Sequence, residues 1–184
     1  NFRRVEKVGP KVSKELLKDG LLAITLSLAA MLFYIWIRFE WQFSLGAIAA
    51  LIHDVIITIG IFSLLSYEVN LSIVAAVLTI VGYSMNDTVV IFDRIRENLK
   101  KYSKITIKEI SDLSTNQTLS RTLITSVTTL LALFSIYIFG GAILKGFSFA
   151  MIIGVIVGTY SSIFVATPIL NYTNVSQKTV LKDN

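Results

Sequence analysis

The sequence predicts an all-α fold, a polytopic bundle of transmembrane helices. Of its 184 residues, 54% are hydrophobic and only 16% are charged, a balance too apolar for an ordinary water-soluble domain of this length. Several stretches also run for about 18 or more residues with almost no charge, which is the length a helix needs to cross a hydrocarbon core of about 30 Å at 1.5 Å per residue. Helices satisfy their own backbone groups, which lipid cannot do for them.

The apolar runs place spans at residues 20–37, 43–66, 71–92, 122–139 and 147–170. The connections at 38–42 and 67–70 are short, so the helices they join are expected to be antiparallel neighbours. The connection at 140–146 is rich in glycine, and Gly140 with Gly141 is expected to end the fourth helix. Thr167-Pro168 is expected to end or bend the fifth.

The long connection at 93–121 carries Arg94, Arg96, Lys100, Lys101, Lys104, Lys108 and Arg121, so the positive-inside rule assigns it to the cytoplasm. Within it, Ile105, Ile107 and Ile110 alternate with charges over 104–112. This pattern predicts a short amphipathic helix lying on the membrane surface, its lysines drawn to anionic lipid headgroups. The resulting organisation is an extracytoplasmic lead-in over 1–19, three helices over 20–92, the basic cytoplasmic loop over 93–121, two helices over 122–170 and a cytoplasmic tail over 171–184. The basic opening residues Arg3, Arg4, Lys7, Lys11, Lys14 and Lys18 fit the rule as the end of a larger extracytoplasmic domain. A preceding helix and domain are therefore expected upstream.

Several functions are excluded by composition. There is no cysteine and a single histidine, so neither a disulfide framework nor a zinc site is expected. No metal, cofactor or enzymatic activity is expected. The formal charge of +5 reads as loop topology rather than as a nucleic-acid surface.

Charged groups inside the spans stand out against this background. Asp54 lies in the second run and Asp87 in the third, roughly 16 Å and 8 Å from the loop-side ends of their spans. A central aspartate costs about 2.5 to 3.5 kcal/mol on insertion scales, so such residues face a bundle interior or a wet cavity and have a partner. Proton uptake and release by these carboxylates is expected during a working cycle. Arg121 opens the fourth span on the same side, and its long stem can carry the guanidinium towards Asp87.

Thr79, Asn86 and Asp87 are expected to share a polar seam with Thr125 and Thr128, offering a path for water or protons. The alternative is a structural ion pair among residues that only pack helices. His53 reads first as a hydrogen-bonding neighbour of another helix and second as a relay to Asp54. Ala150, Gly154, Gly158 and Ser162 recur every four residues in the fifth span, a stripe expected to let helices approach closely.

The stretch from Gly82 through Met85, Asn86, Asp87 and Thr88 to Arg94, Arg96 and Asn98 resembles the signature of the SecF family, the smaller membrane subunits of bacterial SecD–SecF export complexes. Val8-Gly9-Pro10, His53-Asp54, Ser120-Arg121-Thr122 and Ala166-Thr167-Pro168 extend the resemblance over nearly the whole chain. It implies half of a resistance-nodulation-division transporter core in the bacterial cytoplasmic membrane, with this piece matching the second to sixth helices. It further implies a SecD-like subunit, the SecYEG channel and a translocating preprotein as partners, with proton coupling at Asp87 and Arg121 and Asp54 as an auxiliary. Half of a proton-coupled small-molecule or lipid exporter and a non-transporting assembly scaffold are the competing readings.

Overall fold

The computed structural model describes residues 10–66, 71–102, 104–173 and 175–181. The first nine residues of the expected lead-in, the connection at 67–70 and the last residues of the tail lie outside them. Five helices are long and apolar enough to cross a membrane. They begin with α1 (Pro10–Arg38), α2 (Trp41–Leu64), α3 (Leu71–Lys101) and α4 (Ile107–Phe139). The fifth is composite: α5 (Gly141–Ser161) passes through a π-helical turn (Ser162–Ala166) into α6 (Thr167–Tyr172). A short α7 (Gln177–Leu181) follows.

Three helices outrun their apolar segments, the first being α1, which begins at Pro10 rather than at residue 20, so residues 10–19 of the expected lead-in are helical. α3 continues to Lys101, and α4 begins at Ile107 rather than at residue 122. The expected surface helix over 104–112 is thus corrected: its greater part is the first turns of α4. Ile110 is fully buried, packed with Ile95, Leu99, Val175 and Val180, so its apolar side chain faces protein and not headgroups. The start of α4 is set by a capping box, in which Thr106 Oγ1 accepts from the Glu109 backbone and Glu109 Oε2 accepts from the Thr106 backbone N–H at 3.0 Å. Asn98 then ties the extensions together, donating to Ser114 Oγ at 2.8 Å and Gln117 Oε1 at 3.0 Å.

The remaining punctuation is also local. Gly140 caps α4, and Gly141 opens α5 at φ +75°, a left-handed conformation that only glycine adopts without strain. The connection expected at 140–146 therefore shrinks to a single turn. Pro168 neither ends nor breaks its helix. The π turn precedes it, and Thr167 Oγ1 donates to Ser162 O at 2.9 Å, so the disturbance caused by proline is absorbed one turn earlier.

α3 and α5 form the most intimate pair, flanked by α2 and α4, with α1 on the periphery. Leu22, Leu26, Phe33 and Trp36 on α1 and Leu123, Val127, Leu131 and Phe134 on α4 are exposed, as helices solvated by lipid require. Two apolar clusters fill the interior. One, at the end carrying the basic residues, gathers Phe39, Phe43 and Phe92, with ring centroids 5.2–6.0 Å apart. The other, at the opposite end, gathers Phe62, Ile80, Leu133 and Val155. Between them lies a buried polar layer from four helices: Asp54 and Thr58, Ser84, Asp87 and Thr88, Thr122 and Ser126, Ser161 and Ser162.

Candidate functional site: a polar layer built on two carboxylates

A polar group in a lipid-embedded core is costly unless bonded, so the partners in this layer define what it can do. Asp54 is its hub. It is completely buried, and its Oδ2 accepts from Ser84 Oγ of α3 at 2.5 Å and Ser161 Oγ of α5 at 2.8 Å. Its Oδ1 lies 3.0 Å from His53 Nδ1. Two hydroxyl donors from other helices thus meet one carboxylate oxygen, and the imidazole meets the other. The imidazole remains 31% exposed and stacks on Tyr160, with centroids 6.4 Å apart, so it joins the buried carboxylate to the outer face of the bundle.

The α3–α5 contact that holds these donors depends on small residues. A Cβ at Gly158 would stand 2.9 Å from Ser84 Cβ, and one at Gly154 would overlap the Ile80 side chain. Ala150 is fully buried, and Ser162 shares a hydrogen bond with Thr88 at 2.9 Å. The four-residue stripe thus faces α3. The π turn starts immediately after Ser161, where the helix changes from supplying a donor to Asp54 to bonding with Thr88.

Asp87 contrasts with Asp54. It sits one turn from Ser84 on α3 and is 4% exposed, yet its Oδ2 has no hydrogen-bond partner. Among the described residues no ion pair links it to Arg121. Arg121 is exposed on α4 and lines a cavity of about 320 Å³ with Asp93, Glu97 and Gln117. Val90, one turn after Asp87 on α3, lines the same cavity, which brings Arg121 close to Asp87. The pair is therefore neighbouring but not closed. Thr58 and Thr122 also keep unpartnered hydroxyls in this layer.

The expected seam divides. Thr79, Asn86 and Thr128 are exposed and Thr125 is half-buried, and the threonines bond back to their own helices, as in Thr79 to Ala75 O at 2.8 Å and Thr125 to Arg121 O at 2.6 Å. Ser84 and Thr88 face the fifth helix through Gly158 and Ser162, and Asn86, two positions from each at about 100° per residue, points roughly 160° away from both. Within this chain the buried, hydrogen-bonded hydroxyls are those of Ser84, Ser161 and Ser162, which sequence reasoning missed as hydrogen-bond donors. The available signal was hydroxyl residues inside apolar runs, Ser84 three positions before Asp87 and the Ser161-Ser162 pair in the fifth. Among the described residues no three His, Asp or Glu side chains converge as a metal site would require.

Comparison with known proteins places this arrangement. The sequence profile described as "Protein export membrane protein SecD/SecF, C-terminal" matches residues 1–176. The chain is 52% identical over 183 residues to a protein translocase subunit SecF of Cereibacter sphaeroides, covering all of this chain and 56% of that protein. It is 54% identical over 169 residues to the SecF of Rickettsia bellii, covering 92% and 56%. It therefore spans about half the length of the curated relatives it matches. The crystal structure of SecDF, described as a translocon-associated membrane protein from Thermus thermophilus, superposes with a TM-score of 0.86 at 43% identity, over 91% of this chain and 24% of that one. SecDF in its super-membrane-facing form superposes at 0.81 and 41% identity, over 90% and 22%. The chain belongs to the SecD/SecF family of protein-export membrane proteins, on its SecF side.

Proposed function

We propose that this chain is the membrane core of a SecF subunit, which pairs with a SecD-like subunit and uses the proton-motive force to help preproteins leave the SecYEG channel. In this reading the basic end of the bundle faces the cytoplasm. The observation that carries the proposal is the unequal provision for two buried carboxylates: Asp54 has donors from two other helices, whereas Asp87 has an unpartnered oxygen and Arg121 about one helical turn away across a cavity. Asp87 is the group that takes up and releases the proton, Arg121 is the charge that senses it, and Asp54 holds α2, α3 and α5 in register. The outward Thr79, Asn86 and Thr128 supply the polar face turned to the SecD-like half, where the proton path is completed.

A potential of about 100 mV provides roughly 2.3 kcal/mol per charge moved, a bias of about fifty-fold on a two-state helix arrangement. One proton can therefore tilt the bundle but cannot drive a long stroke, so export needs repeated cycles. The test is preprotein export into inverted membrane vesicles containing full-length SecD–SecF and SecYEG. Asp87→Asn is expected to preserve assembly and to abolish the export stimulation that depends on the potential, and Arg121→Lys to lose part of it, because an ammonium lacks the planar guanidinium geometry. Full stimulation with Asp87→Asn would transfer the role elsewhere and favour an assembly scaffold.

A further inference from the structure

The cavity between α3 and α4 holds more charge than the coupling of Asp87 with Arg121 requires. Besides Arg121, its lining includes Asp93, Arg94 and Glu97. Arg94 donates to Glu97 Oε2 at 2.5 Å and to Gln117 Oε1 at 2.6 Å. Asp93 Oδ1 accepts from Arg38 Nη2 of α1 at 2.7 Å, and both of these side chains are 42% exposed. Arg96 is paired with Glu40 at 2.9 Å. Among the described residues, Arg121 is the arginine left without an ion pair.

Bonds between the helices fix how α3 and α4 run past each other. Asn98 donates to Ser114 and Gln117, and Arg94 also donates to Gln117. The two helices are antiparallel, so moving on along α4 to Arg121 means moving back along α3 to about Phe92. At 1.5 Å per residue, Asp93 is then at nearly the same level as Arg121, and Asp87 is roughly 7–8 Å deeper. The long arginine stem can serve either carboxylate.

The count of charges gives this placement a consequence. With Asp87 ionised, Arg38, Arg94 and Arg121 face three carboxylates: Asp87, Asp93 and Glu97. With Asp87 neutral they face two, and Arg121 is the cation left over. Asp54, the other carboxylate of the interior, is occupied by Ser84 and Ser161. Asp93 is the acid nearest to Arg121 in level, and a half-exposed ion pair such as Arg38 with Asp93 is weakly held and readily exchanged.

We propose that Asp93 is the second acid of the coupling site: when Asp87 is protonated, Arg121 turns to Asp93 and displaces Arg38, and deprotonation reverses the exchange. Asp93 is a positioning residue here, since the proton stays on Asp87. The proposal rests on proton coupling at Asp87 and adds to it a charge exchange that passes from α4 through α3 to α1.

The test measures Arg38 directly. Full-length SecD–SecF in proteoliposomes is treated with phenylglyoxal, which modifies free guanidinium groups faster than paired ones, and labelling of Arg38 is followed by peptide mass spectrometry. Asp93→Asn, which removes the pair, should speed labelling about fivefold, the ratio set by an exposed ion pair. Asp87→Asn, which keeps position 87 neutral, should approach the same rate, and adding Arg121→Gln should restore the original one. Labelling unchanged by Asp93→Asn or by Asp87→Asn, or a rise that persists with Arg121→Gln, would overturn the proposal. A second variant exchanges the partners: Arg38→Asp with Asp93→Arg keeps a bridge between α1 and α3 but sets a cation before Arg121. It should lose the export stimulation that depends on the potential, and full stimulation would make Asp93 a plain bridge and overturn the proposal. Full stimulation with Asp87→Asn counts instead against proton coupling at Asp87, however Arg38 is labelled.

Discussion

Replacing Gly158 by alanine sets two effects of known sign against each other. Alanine is favoured over glycine inside a helix by about 0.8–1.0 kcal/mol. The new Cβ, however, stands 2.9 Å from Ser84 Cβ and 3.3 Å from Ser84 Cα, whereas carbon atoms rest about 3.5–4.0 Å apart. The α3 backbone cannot rotate out of the way as a side-chain tip could, so the two helices must separate by roughly 0.5–1 Å, which forfeits a quarter to a half of each dispersion contact along the seam. Overpacking of this kind costs about 1–3 kcal/mol. Ser84 also moves away from Asp54.

Gly60 in α2 provides the control, since a Cβ there meets nothing within 4 Å. The propensity gain cancels between the two variants, and Gly158→Ala should be less stable than Gly60→Ala by about 1–3 kcal/mol. Reversible unfolding of the full-length protein in mixed micelles with rising sodium dodecyl sulfate measures the difference. If the two alanine variants unfold at the same detergent fraction, the close approach of α3 and α5 is not what holds this layer together.

Further expectations concern the layer and the helix ends. A double-mutant cycle between Asp54→Ala and Ser84→Ala should return a coupling of about 0.6 and at most about 1.7 kcal/mol, the average and the maximum for hydrogen bonds between membrane helices, and additivity of the two losses would remove Asp54 from its place as hub. Thr106→Ala should cost about 0.5–2 kcal/mol at the start of α4. Amide exchange should then accelerate over 107–110 and stay unchanged over 126–139, and a uniform acceleration would contradict a local cap.

How far the site could be read in advance depended on how far apart its parts lie in the chain. Asp54, Asp87 and Arg121 were visible because charge inside an apolar run is conspicuous. The partners of Asp54 were not, since Ser84 and Ser161 stand 30 and 107 positions away and each by itself looks like one more small residue in a membrane helix. The open arrangement of Asp87 and Arg121 was likewise hidden, because a shared depth says nothing about the direction in which two side chains point.

The sequence by itself determined the number of spans, the turn at Gly140-Gly141 and the four-residue stripe on the fifth helix, because lipid thickness, glycine's freedom at positive φ and helical period act on local stretches. Tertiary structure alone decided that α3 and α4 outrun their apolar segments, since Ile95, Leu99 and Ile110 are buried against Val175 and Val180 from the far end of the chain. It also decided that Asp54 lies inside a web of hydroxyls while Asn86 looks outward. Hydropathy records the length of helix in contact with lipid, and only packing against other helices settles which of its faces is inside.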